Sequence, residues 1–482
     1  MSFEHNMIWM EQEHVFPANI ADFHNKRFAW MLENSGLAAK LANIPGIIGA
    51  GSCGKASTLS FMGSIMAALG FKCAIGTKPP IDESPLGNLE RWQIWENFQR
   101  RRMTPAEFEE IFPLIKENAL ELEKTHQEWG AAAPYDLRAL ILNAFAVSQQ
   151  ADLVISEANI GRANDPAGCL PNTVMNIITP IGTDHGGLLI APHDFHNELG
   201  AMAGPFYQKA YGLELGKGAV FGRQHELIAP LIDPHSIIFG RDFDITGTSC
   251  SMSGTSFQIK LSDNLRQYLN LSADLESLHI KLTALGLFQC ENAAQALVAA
   301  LILRRRAILN EPGDLLNKFS SSNFAQKLRD IPEDIFLQKA LDGLKQVQVP
   351  GRLQLIAPSC AATISSSPEK LKALLESIEN LINPGQKVLI CATFLDRIHY
   401  LKEAVQMASN WPLTESITIT KYLDNDTNRD ANPNSLLQYS PHAIINNDIG
   451  DAFLQTKKAA QSQGNIALFL GNGMVSWLSA KK

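Results

Sequence analysis

Gly49-Ala-Gly-Ser-Cys-Gly54-Lys55-Ala-Ser57-Thr58 is the stretch on which the reading of this chain turns. The apolar run Ile44–Gly49 leads into it as a strand, and Ser57–Leu69 follows as a helix. Glycines at such a strand-to-helix turn let successive backbone N–H groups face one anion. The helix N-terminus adds a favourable dipole, and Lys55 adds a mobile positive charge. The spacing predicts a nucleotide-phosphate loop. Its magnesium hydroxyl is expected at Ser57 rather than directly after the lysine, where Ala56 stands. The loop alone does not choose between a kinase, an ATPase and a ligase.

Working outward, short apolar runs alternate with longer amphipathic segments. Strands are expected at Phe71–Gly76, Asp152–Ser156, Val174–Ile178, Ala219–Gly222 and Ser236–Gly240, with helices at Arg138–Ser148 and Asn197–Tyr211 among them. That alternation predicts an α/β fold with a mostly parallel sheet. Residues 243–285 break the rhythm: Phe257–Leu261 and Leu278–Leu282 read as hairpin strands of a small antiparallel subsheet. A second α/β unit starts near Val349-Pro-Gly-Arg352, with strands at Arg352–Ile356, Ala361–Ser365, Lys387–Ala392, Ser416–Thr420 and Ile466–Leu470. The expected division is a helical lead-in over 1–43, a central domain over 44–346 and a C-terminal domain over 347–482. The polar, turn-rich stretch 310–333 is read as a surface insertion.

Bulk properties bound the partners. The chain has 482 residues, 45% hydrophobic and 19% charged, which favours an ordered multidomain protein. A formal net charge of -8 argues against a nucleic-acid surface as the main business. No run of about 18 apolar residues is present, so no membrane partner is expected. Seven scattered cysteines without metal spacing fit a reducing cytoplasm. A monomer or small homo-oligomer is expected.

The loop Gly51-Ser-Cys-Gly54-Lys55-Ala-Ser57-Thr58 resembles the Gly-Thr-Asn-Gly-Lys-Gly-Ser-Thr of Mur-type ligases in the folylpolyglutamate synthetase branch, including the shifted hydroxyl. Further motifs follow in that family's order. Thr77-Lys-Pro-Pro is similar to Thr-Ser-Pro-His, and Glu157-Ala-Asn-Ile-Gly161-Arg162-Ala-Asn-Asp165 to Glu-Val-Gly-Leu-Gly-Gly-Arg-Leu-Asp with one residue deleted. Ile181-Gly-Thr-Asp184-His185 resembles Ile-Gly-Leu-Asp-His, and Gly286-Leu-Phe288-Gln289-Cys-Glu-Asn292-Ala-Ala resembles Gly-x-His-Gln-x-x-Asn-Ala-Ala. Val349-Pro-Gly-Arg352 matches the entry to the C-terminal domain, and Asp396-Arg397 stands at the family's Asp-Lys. The resemblance spans about residues 35–482. It implies a phosphate-loop central domain followed by a Rossmann-like C-terminal domain, and an ATP-dependent ligase joining a carboxylic acid to an amine through an acyl phosphate.

The resemblance also assigns roles. ATP is expected on Gly51, Ser52, Cys53, Gly54, Lys55, Ala56, Ser57 and Thr58, with Arg352 and Asp396 reaching it from the second unit. Gln289 and Asn292 are placed at the adenine, although either can equally serve as a polar helix start. Magnesium is assigned to Ser57, Glu157 and His185. Lys55, Glu157, His185, Lys209 and Arg352 form the expected catalytic set. Lys209 fits the carbamylated lysine of a Lys-Ala-Gly motif, while a competing alignment puts Met202-Ala-Gly there and loses the lysine.

Three departures bear on the substrate. The family's Asp-Gly-Ala-His-Asn-Pro aligns with Thr363-Ile-Ser365-Ser366-Ser367-Pro368, so an acid and an imidazole are gone. Its Phe-Glu aligns with Leu137-Arg138, so a carboxylate has become a guanidinium. The stretch 310–333 is the third. Arg138 and Ser366 are therefore expected to bind a substrate other than folate, with Arg138 alternatively in an ion pair. A catalytically degenerate nucleotide-binding scaffold is the competing reading.

Overall fold

The computed structural model describes residues 2–12, 25–78, 80–82, 84–183, 189–211, 218–271, 277–309, 319, 322–365, 367–396, 400–423 and 429–481. The lead-in forms helices α1 (Phe3–Gln12), α2 (Asn25–Asn34) and α3 (Leu37–Leu41). Strand β1 (Gly46–Ala50) runs into the glycine loop and helix α4 (Lys55–Ala68), and then come β2 (Cys73–Gly76), β3 (Trp92–Glu96) and β4 (Gln99–Arg102). Helices α5 (Pro105–Thr125) and α6 (Pro134–Ser148) precede β5 (Leu153–Glu157) and β6 (Thr173–Ile178). Helix α7 (Ala203–Lys209) leads to β7 (Ala219–Phe221) and β8 (Ile237–Ile238).

Among the described residues these strands make one sheet in the order β4-β3-β2-β5-β1-β6-β7-β8. From β2 to β8 the neighbours are parallel, and β3 and β4 are antiparallel additions at one edge. Helices cover both faces, as a parallel sheet requires. Alternation along the strands sorts the side chains. Ile47, Ile75, Ile155 and Ile177 go to one face with Leu59 and Met62 of α4. Ile48, Ala74, Val154 and Ile178 go to the other with Phe108 of α5 and Leu140 of α6. Helix α4 is buried on nearly every side, which explains why its apolar residues show no single face. The lead-in is anchored by a buried ion pair, Arg27 Nε to Asp136 Oδ2 at 2.6 Å.

Strands β9 (Phe243–Ser251), β10 (Gly254–Leu261) and β11 (Ser277–Leu282) form the antiparallel subsheet, with helix α8 (Asp263–Leu269) in the β10–β11 connection. Helix α9 (Phe288–Leu309) then returns to pack against α4. The second α/β unit carries β12 (Gln354–Ala357), β13 (Cys360–Thr363), β14 (Val388–Ala392), β15 (Thr414–Ile419), β16 (Ile444–Ile445) and β17 (Ile466–Leu470). Their order is β12-β13-β17-β14-β15-β16, parallel except for β12.

Three local expectations change. Gly200, at φ +52°, breaks the expected helix 197–211 into a 3₁₀ turn, Asn197–Met202, and α7. Arg352 sits in a turn, its N–H donating to Val349 O, and β12 begins at Gln354 rather than at the arginine. Part of the stretch 310–333 lies outside the described residues, but Asn323–Asp330 is a helix that buries Phe324, Ala325 and Leu328 on the main core. Apolar residues spaced three and four apart outweigh the turn formers around them.

Candidate functional site

The glycine loop sits at the carboxyl end of β1, between β5 and β6. Gly51 has φ +130°, and a Cβ there would fall 2.2 Å from Thr179 Oγ1 and 2.6 Å from Thr179 O. Gly54 has φ +87°, and its Cβ would meet Asn292 Oδ1 at 2.4 Å. Only glycine suits both places. The first N–H groups of α4 point into the turn without helical acceptors, which makes an anion cradle. The N–H groups of Ser52 and Cys53 instead donate to Pro180 O, at 2.8 and 3.3 Å. Lys55 folds back across the loop and donates from Nζ to Gly51 O at 2.7 Å. Ala56 is half-buried, and Ser57 and Thr58 are buried in the first turn of α4. Thr58 Oγ1 bonds Gly54 O at 3.1 Å.

Side chains from separate segments converge on this loop. Glu157 ends β5 and stands in register with Gly49 of β1. Its Oε2 accepts the Lys78 N–H at 3.0 Å. Lys209, at the end of α7, is buried, and its Nζ lies 3.0 Å from Ser52 Oγ. That hydroxyl also accepts the N–H of Gly182 at 2.8 Å. Of the two alignments for this region, Lys209 is the one whose side chain reaches the loop. Arg352 is half-buried and donates to Gly351 O at 3.2 Å. Burial lowers the hold of its guanidinium on the proton, and the nearby charge of Glu157 opposes this.

Asn292 and Gln289 open α9 against Gly54. Asn292 donates from Nδ2 to Gln289 Oε1 at 3.0 Å, and the buried Gln289 Nε2 has no hydrogen-bond partner among the described residues. Asp396 is exposed beyond β14, its N–H donating to Arg429 O, with no hydrogen bond to the loop among the described residues. His185 and Ser366 lie outside the described residues. The hydroxyls beside the latter, on Ser365 and Ser367, are buried without hydrogen-bond partners among the described residues.

Arg138 has a stronger claim on its guanidinium than a free ligand pocket would allow. It donates from Nε to Glu11 Oε1 at 2.9 Å and from Nη2 to Glu11 Oε2, tying α6 to α1. It also lines a cavity of about 40 Å³ at the ends of β2 and β5, shared with Lys78, Arg91, Trp92, Glu157 and Asn159. Lys78 is the residue to which the sequence reading gave no role. Its Nζ donates to Asn159 Oδ1 at 2.8 Å, and burial pushes its ammonium down to about 7 despite the pull of Glu157 and Asp165. Asp165 shapes this corner, accepting the N–H groups of Asn159, Ile160 and Ala167 at 2.7, 3.1 and 3.0 Å. The signal for Lys78 was a cation standing where the resembling family has a small hydroxyl.

The residues fit a nucleotide with a hard divalent ion. The first N–H groups of α4 stay open to phosphates while those of Ser52 and Cys53 are held by Pro180 O, and Gln289 Nε2 offers a donor with no partner among the described residues. Ser57 and Glu157 supply a hydroxyl and a carboxylate, a modest protein share that suits magnesium completed by phosphate oxygens and water.

No protein-family profile and no curated protein sequence matches the chain. Solved structures do. A Mycobacterium tuberculosis folylpolyglutamate synthase complexed with ADP and AMPPCP superposes with a TM-score of 0.70 at 17% identity, over 95% of this chain and 94% of that one. The apo form of the Lactobacillus casei enzyme gives 0.73 at 14% identity, over 100% and 99%. A complex of folylpolyglutamate synthetase with AMPPCP and folate gives 0.70 at 14% identity, over 100% and 99%. The chain has the folylpolyglutamate synthetase fold. Within the folylpolyglutamate synthetase fold, the large mostly parallel sheet and the second α/β sheet are the two domains, and the glycine loop stands in the first. Among the described residues no helix is long and apolar enough to cross a membrane.

Proposed function

We propose that this chain is an ATP-dependent ligase that forms an amide between a small carboxylic acid and an amine or amino acid. The observation that carries this reading is convergence. Lys55 lies in the glycine loop, Glu157 stands in register beside it, Lys209 reaches Ser52 of the loop, and Arg352 lies within electrostatic reach of Glu157, so four separate segments bring charge to one place. A kinase or ATPase loop alone does not call for an arginine delivered from the entrance of a second α/β unit.

Amide formation is uphill in water, so the acid must be activated. A carboxylate oxygen attacks the γ-phosphorus of ATP, the bond to ADP breaks, and an acyl phosphate forms. The amine then attacks the acyl carbon, inorganic phosphate leaves, and the nitrogen loses a proton. The first step brings two anions together and depends on preorganised positive charge. Lys55 and Arg352 are assigned to the phosphates, and Lys209 braces the loop through Ser52. Magnesium, held by Ser57 and Glu157 with His185, would neutralise phosphate charge. The helix N-terminus orients the phosphates, and Gln289 offers its amide donor to the base.

The substrate is read as non-folate. Serines stand where the resembling family has an acid and an imidazole, and Arg138 replaces a carboxylate. A specific observation favours the alternative of a nucleotide-binding scaffold without ligase activity: the loop N–H groups of Ser52 and Cys53 are spent on Pro180 O. Measuring ADP release with panels of acids and amines separates the two. Amine-dependent turnover that Lys55→Ala abolishes supports the ligase. Nucleotide binding with no turnover on any panel member supports the scaffold, and undiminished turnover in Lys55→Ala overturns the site.

A further inference from the structure

The antiparallel edge of the large sheet takes no part in the reaction set out above. Among the described residues no strand lies beyond β4. Met103 N–H donates to Trp92 O at 2.8 Å, and the register runs from Gln93 opposite Arg102 to Glu96 opposite Gln99. Alternation along an antiparallel ladder makes Ile94–Arg101 and Glu96–Gln99 the hydrogen-bonded pairs. Arg100 and Arg102 belong to the other pairs, so their backbone N–H and C=O groups turn away from β3. Arg102 O receives a long bond from Arg101 Nη1, at 3.4 Å.

The side chains on this backbone divide by face. Arg101 is already committed: it holds both Glu107 oxygens, at 3.0 and 2.8 Å, and Gln149 Oε1 at 2.7 Å. Arg100 and Arg102 share the opposite face and are exposed. Arg100 lies over the Trp95 ring at 5.7 Å, and Arg102 donates to Leu86 O at 3.5 Å. Among the described residues the salt bridges of this corner are Arg101–Glu107 and Lys72–Glu96, and neither Arg100 nor Arg102 takes part in one. Glu90, whose charge reaches Arg100, is bonded to the Ile81 N–H at 2.9 Å. The β3–β4 turn holds Asn97 and Phe98 at φ +49° and +62°, with the Phe98 ring exposed. Turns of this kind favour glycine, so a large side chain is kept there against the preference of the backbone. Leu86, also exposed, stands at the other end beside Arg102.

We propose that the outer edge of β4 docks an extended acidic segment of a partner protein, which adds itself antiparallel as the next strand and places carboxylates at alternate positions opposite Arg100 and Arg102. Unpaired backbone groups supply the pairing, and the two guanidinium groups select the sequence. Residues two apart on β4 meet residues two apart on the incoming strand, so glutamates or aspartates in alternation match the spacing. Phe98 and Leu86 offer apolar contact at the two ends. Phosphates of a nucleic acid or a lipid surface are acceptors and give nothing to the outward C=O groups. The net charge of -8 also works against a broad polyanion.

The test uses the full-length protein and a fluorescein-labelled peptide, Thr-Glu-Val-Glu-Val-Glu-Thr, followed by fluorescence anisotropy. The wild type should bind it saturably, and Arg100→Lys with Arg102→Lys should retain binding. Arg100→Glu with Arg102→Glu, checked for folding by circular dichroism, should bind about tenfold more weakly or worse. The same peptide N-methylated at its glutamates keeps its charge but cannot donate to the outward C=O groups, and it should lose about tenfold on the wild type. No saturation by about 1 mM peptide overturns the proposal, as does unchanged affinity in the glutamate variants. Equal affinity for the N-methylated peptide overturns strand addition. Tighter binding of an oligothymidylate or of phosphatidylserine vesicles, lost in the same glutamate variants, overturns the peptide partner in favour of a polyanion.

Discussion

Gly51→Ala is the most direct probe of the loop, because its consequence follows from two features of the backbone there. The residue sits at φ +130°, outside the range that side-chain-bearing residues favour, and that backbone costs about 1–3 kcal/mol with a Cβ. The new methyl also lands 2.6 Å from the carbonyl oxygen of Thr179. A backbone atom directly after β6 cannot swing aside like a side-chain end, so either the loop or the chain leaving the strand must move, at about 1–3 kcal/mol more. Gly70 provides the control: it has φ +90° with nothing within 4 Å of its would-be Cβ, so Gly70→Ala carries only the backbone cost. The difference between the two variants in urea unfolding should be about 1–3 kcal/mol. Because the loop is what shifts, AMPPCP affinity measured by calorimetry should fall about tenfold or more in Gly51→Ala, equivalent to about 1.4 kcal/mol. It should be unchanged in Gly70→Ala. Equal midpoints and equal affinities for the two variants would refute the claim that Gly51 is a close-packed element of a nucleotide loop.

Arg352→Ala should keep AMPPCP affinity within a few-fold yet lose turnover by about a hundredfold, the usual cost of one transition-state charge donor, in the ADP-release assay. Glu11 gives a pH signature. Burial works to raise its carboxyl, but Arg138 and Arg91, with the Arg138 hydrogen bond, more than reverse this and leave it below its ordinary value of 4.5. A depressed carboxyl contributes stability above its unfolded value, and that contribution is lost as pH falls through the folded one. Acidification below about 4.5 should therefore loosen α1, followed by Trp9 fluorescence, and Arg138→Gln should flatten that transition.

The main sheet was readable because its strands are short apolar runs separated by long helices, and a run such as Ile47-Ile48 serves both faces at once. The glycine loop was readable because few other sequences satisfy its backbone. Other parts obeyed rules that apolar pattern does not carry. Strand β4 is Gln-Arg-Arg-Arg with every side chain exposed, so no alternation marks it. The turn before it places Asn97 and Phe98 at positive φ without a glycine to announce it. Helix α5 did carry a signal, a Thr104–Glu107 capping box with Pro105 in its first turn, in a region the pattern reading passed over. In the candidate site, Lys55, Glu157 and Arg352 kept recognisable neighbours. The choice of Lys209 needed the folded chain, in which its Nζ lies 3.0 Å from Ser52 Oγ. Lys78 was hidden because its partners, Asn159 and Asp165, lie across a strand crossover. The guanidinium of Arg138 could not be assigned without knowing where Glu11 falls.

The arginines of β4 have a consequence for how copies of this chain meet. The outer rim of the large sheet presents Gln99, Arg100, Arg101 and Arg102 to solvent. A bare rim of backbone donors and acceptors is a template on which another chain could extend the sheet. Two copies aligned along this rim would press guanidinium rows together, and the repulsion would act before any backbone pairing formed. The same residues that conceal the strand from a hydrophobic reading thus act as a guard rail against a second copy adding itself to this edge.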